Sequence, residues 1–132
     1  MQPQAGLASF PESRLHQLVG RCVRETFAAG GVELAVGWKL YRTFIDAGLP
    51  PPQLHANSLI IAGSEQMERF APYVVNLLRS LMPKILEYGI ATEEEVAIDT
   101  FEERYVNEVL TQPIVVQWWP CVGAWARKPS GP

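Results

Sequence analysis

The sequence has two histidines and two cysteines, and neither pair forms a recognisable constellation. Cys22 and Cys121 sit far apart within apolar patterns, so each is expected to be a small buried hydrophobe rather than half of a disulfide or metal site. His16 and His55 are too few for a histidine-based metal cluster, and no carboxylate group with ligand spacing accompanies them, so no metal is expected. Also missing are GxGxxG, the P-loop, CxxC, HExxH and GxSxG, with the dinucleotide, nucleotide, redox, metalloprotease and serine-hydrolase chemistries they mark. Charge is sparse at 19% of residues, and the formal net charge is −3. A binder of phosphate backbones would show a basic patch or stripe, so no nucleic-acid partner is expected. No apolar run approaches the roughly 18 residues of a membrane span. The opening MQPQAGLASFPES has neither a basic leader nor an apolar signal core, so the expected location is cytoplasmic.

What is present is apolar side chain, 48% of 132 residues, enough for one domain with a core. Residues 1–8 lack periodicity and read as a loose arm, leaving a single domain over 9–129. Ser9 and Glu12 have the spacing of a capping box, opening a helix over 12–29. Leu15, Leu18, Val19, Cys22, Val23, Thr26 and Phe27 recur at helical spacing within it, and Gly30-Gly31 ends it. A second helix is predicted over 32–47. Leu34, Trp38, Tyr41 and Ile45 form one stripe and Val36, Leu40 and Phe44 widen it, so a helix covered on more than one side is expected. Gly48 and Pro50-Pro51-Pro52 stop it, and a strand over 54–62 follows.

Ser64 is a predicted N-cap for a helical insertion over 65–110, with Pro72 and Pro83 expected to kink or divide its first part. Thr92 and Glu95 make a second capping box, opening a helix to about Leu110 with Ile98, Phe101, Tyr105 and Val109 inward. Glu93-Glu94-Glu95 then reads as a solvated helix end matched to the dipole, not an acid/base set. A last strand over 114–127, rich in β-branched and aromatic residues, should be bent or bulged at Pro120. Within it Trp118 and Trp119 should point to opposite faces, one into the core. The expected fold class is therefore α+β, mostly helical with a two-stranded antiparallel sheet. Two strands are a poor platform for helices with such wide apolar faces. The pattern predicts a missing sheet, supplied by another copy or another chain.

Two stretches, AGLPPPQLHANSLIIAG from Ala47 and WPCVGAWARKP from Trp119, carry a family resemblance. With Gly37-Trp38-Lys39-Leu40 they make the chain similar to the C-terminal half of class I S-adenosylmethionine-dependent methyltransferases. The nearest group is the small-molecule enzymes typified by ubiquinone and menaquinone biosynthesis methyltransferases. The resemblance runs from about Ser9 to Pro129 and implies the C-terminal part of an α/β Rossmann-like fold. It implies a sixth strand, a helical lid and a seventh, antiparallel strand. The family's glycine-rich first loop, ribose-binding acidic residue and first five strands have no counterpart, and those parts hold the cofactor. S-adenosylmethionine is thus implied by resemblance only, no cofactor-binding residue is identified, and the isolated chain is expected not to bind it.

By that resemblance the chain is the substrate-side portion of a small-molecule methyltransferase, with a homodimer or a missing N-terminal half as its partner. Ligands sit beyond the carboxyl ends of strands in open α/β sheets, which directs attention to Phe10, Arg14, His16, Phe70, Tyr73, Tyr105 and Trp118 as candidate substrate-lining residues. No catalytic residue is identified and the methyl acceptor stays open. Read without a substrate, the lid aromatics are the insertion's own core, His16 is an ordinary partly exposed histidine, and His55 is structural or superficial. The alternatives to a methyltransferase portion are a non-catalytic dimerisation or interaction domain and a binder of small apolar ligands.

Overall fold

The computed structural model describes residues 7–129, so all but the last two residues of the expected arm lie outside the described residues. Its framework is helical. Helix α1 (Arg14–Ala29), α3 (Ser64–Glu87) and α5 (Ile98–Thr111) pack around one core, with the single-turn α4 (Glu93–Val96) between the last two. Helix α2 (Val36–Asp46) stands apart from this group and packs against strand β5 (Cys121–Trp125).

Local chemistry sets most boundaries. Helix α1 starts two residues later than the expected Glu12, because the cap is Ser13, whose hydroxyl accepts from the His16 N–H at 3.0 Å. The Ser9 hydroxyl accepts from the Ser13 N–H instead, within an unforeseen strand β1 (Ser9–Phe10). Thr92 forms the expected capping box with Glu95, but Ala97 adopts a left-handed φ of 45° that separates α4 from α5. At the end of α2 Gly48 takes φ of 76°, letting its own N–H reach the Ile45 carbonyl and the Leu49 N–H reach that of Phe44, both at 3.0 Å. A side chain at Gly48 would resist that conformation.

Helix α3 is not divided at its prolines, which excludes the expected alternative of two or three short segments. It is continuous over 24 residues with Pro72 and Pro83 inside it. Both prolines are exposed, so each lost N–H is on the outer face, while Met67, Ala71, Val74, Val75, Leu78 and Ile85 hold the inner face in the core. The core also takes Val19, Cys22 and Val23 from α1 and Phe101, Tyr105 and Val109 from α5. Cys22 is buried as expected, and burial pushes its thiol up to about 11. Cys121 is exposed, contrary to expectation, because its strand is covered by α2 alone.

There are two small antiparallel sheets rather than one. The expected strand 54–62 divides into β2 (Gln53–Asn57) and β3 (Ile60–Ile61), and the expected strand 114–127 into β4 (Val115–Gln117) and β5. The three-stranded sheet runs β1-β4-β3 and the two-stranded sheet pairs β2 with β5. Gln53 faces Trp125 and Asn57 faces Cys121, whereas Ile60 faces Gln117 and Ile61 faces Val116. Ser58 and Leu59 therefore oppose Trp118, Trp119 and Pro120, one residue more on the second strand. This is a β-bulge, at the place where Pro120 cannot donate a ladder hydrogen bond.

The α2–β2–β5 layer also departs from expectation. No α2 residue is buried and all five β2 residues are exposed, although the helix was expected to be covered on more than one side. The helix is shorter than predicted, since residues 32–33 are irregular and 34–35 form a turn. It lies close to β5 at Gly37, where a Cβ would come within 2.9 Å of the Val122 side chain. The face bearing Trp38, Tyr41 and Ile45 remains open. Leu78→Ala should therefore cost about 2–5 kcal/mol in denaturant unfolding. Trp38→Ala should cost about 1 kcal/mol or less. Equal losses would show that α2 is covered in solution.

Candidate functional site

The bulge brings Trp118 against α3 and Trp119 against Trp118. Trp118 packs edge-on to Phe70 with ring centroids 5.2 Å apart, to Tyr73 at 5.7 Å and to its neighbour Trp119 at 4.7 Å. The two tryptophans do not take opposite faces, because the extra residue interrupts the alternation of a regular strand. Ser58 fixes the local geometry. Its hydroxyl donates to the Trp118 carbonyl at 2.8 Å and accepts from Gln117 Nε2 at 2.9 Å, while the Trp118 N–H donates to the Leu59 carbonyl at 2.9 Å. Phe70 and Trp118 are buried, Trp119 is half-buried and Tyr73 is 56% exposed. The result is an apolar floor with an aromatic rim facing solvent, suited to stacking against a planar or apolar group.

A second constellation lies beneath it. His16 on α1 is fully buried, with Nδ1 2.7 Å from the Tyr105 hydroxyl of α5 and Nε2 2.8 Å from the Gln117 carbonyl of β4. A carbonyl only accepts, so Nε2 carries the proton, Nδ1 accepts, and the tyrosine hydroxyl donates to it. Burial holds the imidazole below its ordinary pKa, opposed by the Gln117 carbonyl and the Glu108 carboxylate, and raises that of Tyr105. Glu108 in turn accepts from the Ser13 hydroxyl and from the Leu15 N–H at 3.3 Å. This network ties α1, α5 and β4 together around a fully buried, neutral imidazole, and reaches the surface at Glu108.

The residues singled out from sequence therefore fall into separate groups. Phe70, Tyr73 and Trp118 come together. His16 and Tyr105 also meet, but as buried structural partners, correcting the picture of a partly exposed histidine and of Tyr105 as a pocket wall. Phe10 is 80% exposed on β1 opposite Val115, away from the aromatic contacts. Arg14 is exposed on α1 and lines a different groove, between α1 and α5. Phe101 is fully buried beside Tyr105, and so belongs to the core rather than to a lid pocket. Trp119, Ser58 and Gln117 were not anticipated as parts of the cluster; Pro120 was the signal that could have placed them there. His55 is exposed, with its ring against Gly123 across the strand pair.

Among the described residues, no group of three or more histidine, cysteine, aspartate or glutamate side chains is placed to hold a metal ion, and no helix is long and apolar enough to cross a membrane. Comparisons with protein-family models, curated proteins and solved structures find no match to this chain. The functional reading therefore rests on its own residues.

The buried imidazole has a consequence in acid. Its native pKa lies below the unfolded value of 6.5, so above that value both states are neutral and its contribution to stability is complete. As pH falls below 6.5, the unfolded chain takes up a proton that the native chain resists, and stability falls until the native group also titrates. His16→Gln keeps a donor for the Gln117 carbonyl and should flatten that part of the stability–pH profile. His16→Ala, which leaves the Tyr105 hydroxyl and the Gln117 carbonyl unpartnered, should cost about 3 kcal/mol or more at neutral pH. Urea unfolding at several pH values checks both, and an unchanged slope in His16→Gln would show that His16 does not cause the acid loss.

Proposed function

We propose that this chain is the substrate-side portion of an S-adenosylmethionine-dependent small-molecule methyltransferase, with the cofactor held by another chain or chain segment. The observation that supports this reading is the half-built layer of α2, β2 and β5. Its helix has an apolar stripe but no buried residue, and its two-stranded sheet has β2 wholly exposed. Further strands and their helices would cover such a layer.

The residues present do not fit the cofactor on their own. Neither strand-to-helix crossing among the described residues, β1 to α1 or β3 to α3, carries a glycine-rich turn, and neither β2 nor β3 ends in an acidic residue. This chain would contribute the aromatic wall at the bulge. Methyl transfer depends on alignment of donor and acceptor and on exclusion of water more than on acid/base groups. Phe70, Tyr73, Trp118 and Trp119 suit positioning an apolar acceptor, and no group of the chain is assigned a proton-transfer role.

The test is calorimetric titration of the 132-residue protein with S-adenosylmethionine and S-adenosylhomocysteine, alone and with a co-expressed chain carrying a glycine-rich cofactor half. The proposal expects binding only in the combination, with Tyr73→Ala weakening acceptor binding and leaving cofactor binding intact. Micromolar binding by the isolated protein would refute the division of labour. The exposed Trp38, Tyr41 and Trp125 also support a second reading, self-association as a non-catalytic dimerisation domain. Sedimentation velocity separates the two, since a monomer at every concentration removes the second.

A further inference from the structure

The low net charge conceals a local concentration of arginine. Between α1 and α5 lies an open groove of about 1180 Å³, above the roughly 300–1,000 Å³ of ordinary small-molecule pockets. Four arginines line it: Arg14, Arg21 and Arg24 from α1 and Arg104 from α5. They stand in a chain whose formal net charge is −3.

Among the described residues, only one of the four pairs with a carboxylate. Arg21 pairs with Glu95 at 3.0 Å and also donates to the Ile90 carbonyl at 3.2 Å. Arg104 donates to the Val96 and Ala97 carbonyls, at 2.6 and 3.1 Å, and to the Thr100 hydroxyl at 3.1 Å, so its guanidinium is held in place without a carboxylate. Among the described residues, Arg14 and Arg24 enter no ion pair. The other lining carboxylate, Glu108, is engaged by Ser13 and the Leu15 N–H. Three uncompensated cations thus face one uncompensated anion.

Their spacing discriminates among ligands. At 1.5 Å per residue, Arg14 and Arg24 are about 15 Å apart along the helix axis, with Arg21 between them. A single phosphate or carboxylate could engage one end of that row but not its length. Leu15 and Leu18, half-buried, lie between the arginines and give the groove apolar positions as well.

We propose that the groove between α1 and α5 is a docking site for an acidic, amphipathic peptide segment of a partner protein. Carboxylates of the segment pair with Arg14, Arg24 and Arg104, and its apolar side chains rest on Leu15 and Leu18. The site is separate from the aromatic cluster and from the open α2–β2 layer, and it does not depend on the methyltransferase reading.

Fluorescence anisotropy with a panel of labelled amphipathic peptides of about 15 residues, about 22 Å as helices, tests this. Each carries glutamates on one face and leucines on the other, and each has a glutamine-for-glutamate counterpart. Acidic peptides should bind at least about tenfold more tightly than their counterparts, and binding should weaken as salt rises past the Debye regime. R14E/R24E should lose about tenfold or more, whereas the charge-matched K39E/K84E, outside the groove, should bind as the parent does. Both arginines are outside the core, and circular dichroism checks that the fold is kept. No binding by any panel member, equal binding of the glutamine counterparts, or unchanged binding by R14E/R24E would overturn the proposal. So would R14E/R24E-sensitive binding of inositol hexakisphosphate with no binding of the peptides.

Discussion

One buried imidazole joins parts of the chain that are distant in sequence. His16 reaches Tyr105 across 89 positions and the Gln117 carbonyl across 101, so α1, α5 and β4 meet at a single side chain. The geometry is restrictive, since the carbonyl requires the proton on Nε2 and leaves Nδ1 to accept. Low dielectric strengthens both bonds, and the same burial makes a missing partner expensive. The apolar side chains of α1, α3 and α5 pack around this fixed junction. Gln117 then passes its position to Trp118, so the polar network and the aromatic cluster share one backbone segment.

The molecule divides into a well-covered part and an under-covered part. Around α3, side chains such as Val74, Leu78 and Ile85 are withdrawn from water on all sides. Around α2 the same kinds of residue remain open, and β2 has its apolar and polar positions alike in solvent. Large exposed apolar patches on a protein mark surfaces that are used for association. The difference between the two parts is thus one of coverage, not of composition.

Much of this was visible in the order of residues. The glycine stops at Gly31 and Gly48, the Thr92–Glu95 capping box and the inward face of α5 follow from local chemistry, and the structure has all of them. The readings that failed needed knowledge of what lies across the chain. Ser9 and Ser13 both precede helical sequence, and only the strand made by Ser9 with Val116 decides between them. Pro72 and Pro83 were expected to kink or divide a helix, but both fall on its outer face and it is not divided. His16 gave no sign of burial, because its two partners come from elements that sequence periodicity cannot bring together. For the candidate site, Phe70, Tyr73 and Trp118 were named together with Phe10, Arg14, His16 and Tyr105, and only those three share the aromatic cluster; Trp119 joined them through the bulge, and the arginine groove was hidden by helices read one at a time.

The extra residue opposite Ser58 and Leu59 also reverses the parity of the strand that contains it. Val116 and Cys121 differ by an odd number of positions, yet their partners, Ile61 and Asn57, differ by an even one. Side chains that share a face along the first strand therefore correspond to even positions on one side of Trp118-Trp119-Pro120 and odd positions on the other. The long antiparallel pairing behaves as two rulers joined with a one-unit offset, one calibrated to the helical core and one to the open layer. Evolution can change the residues facing either side independently, but a change of chain length at the joint would recalibrate one ruler against the other.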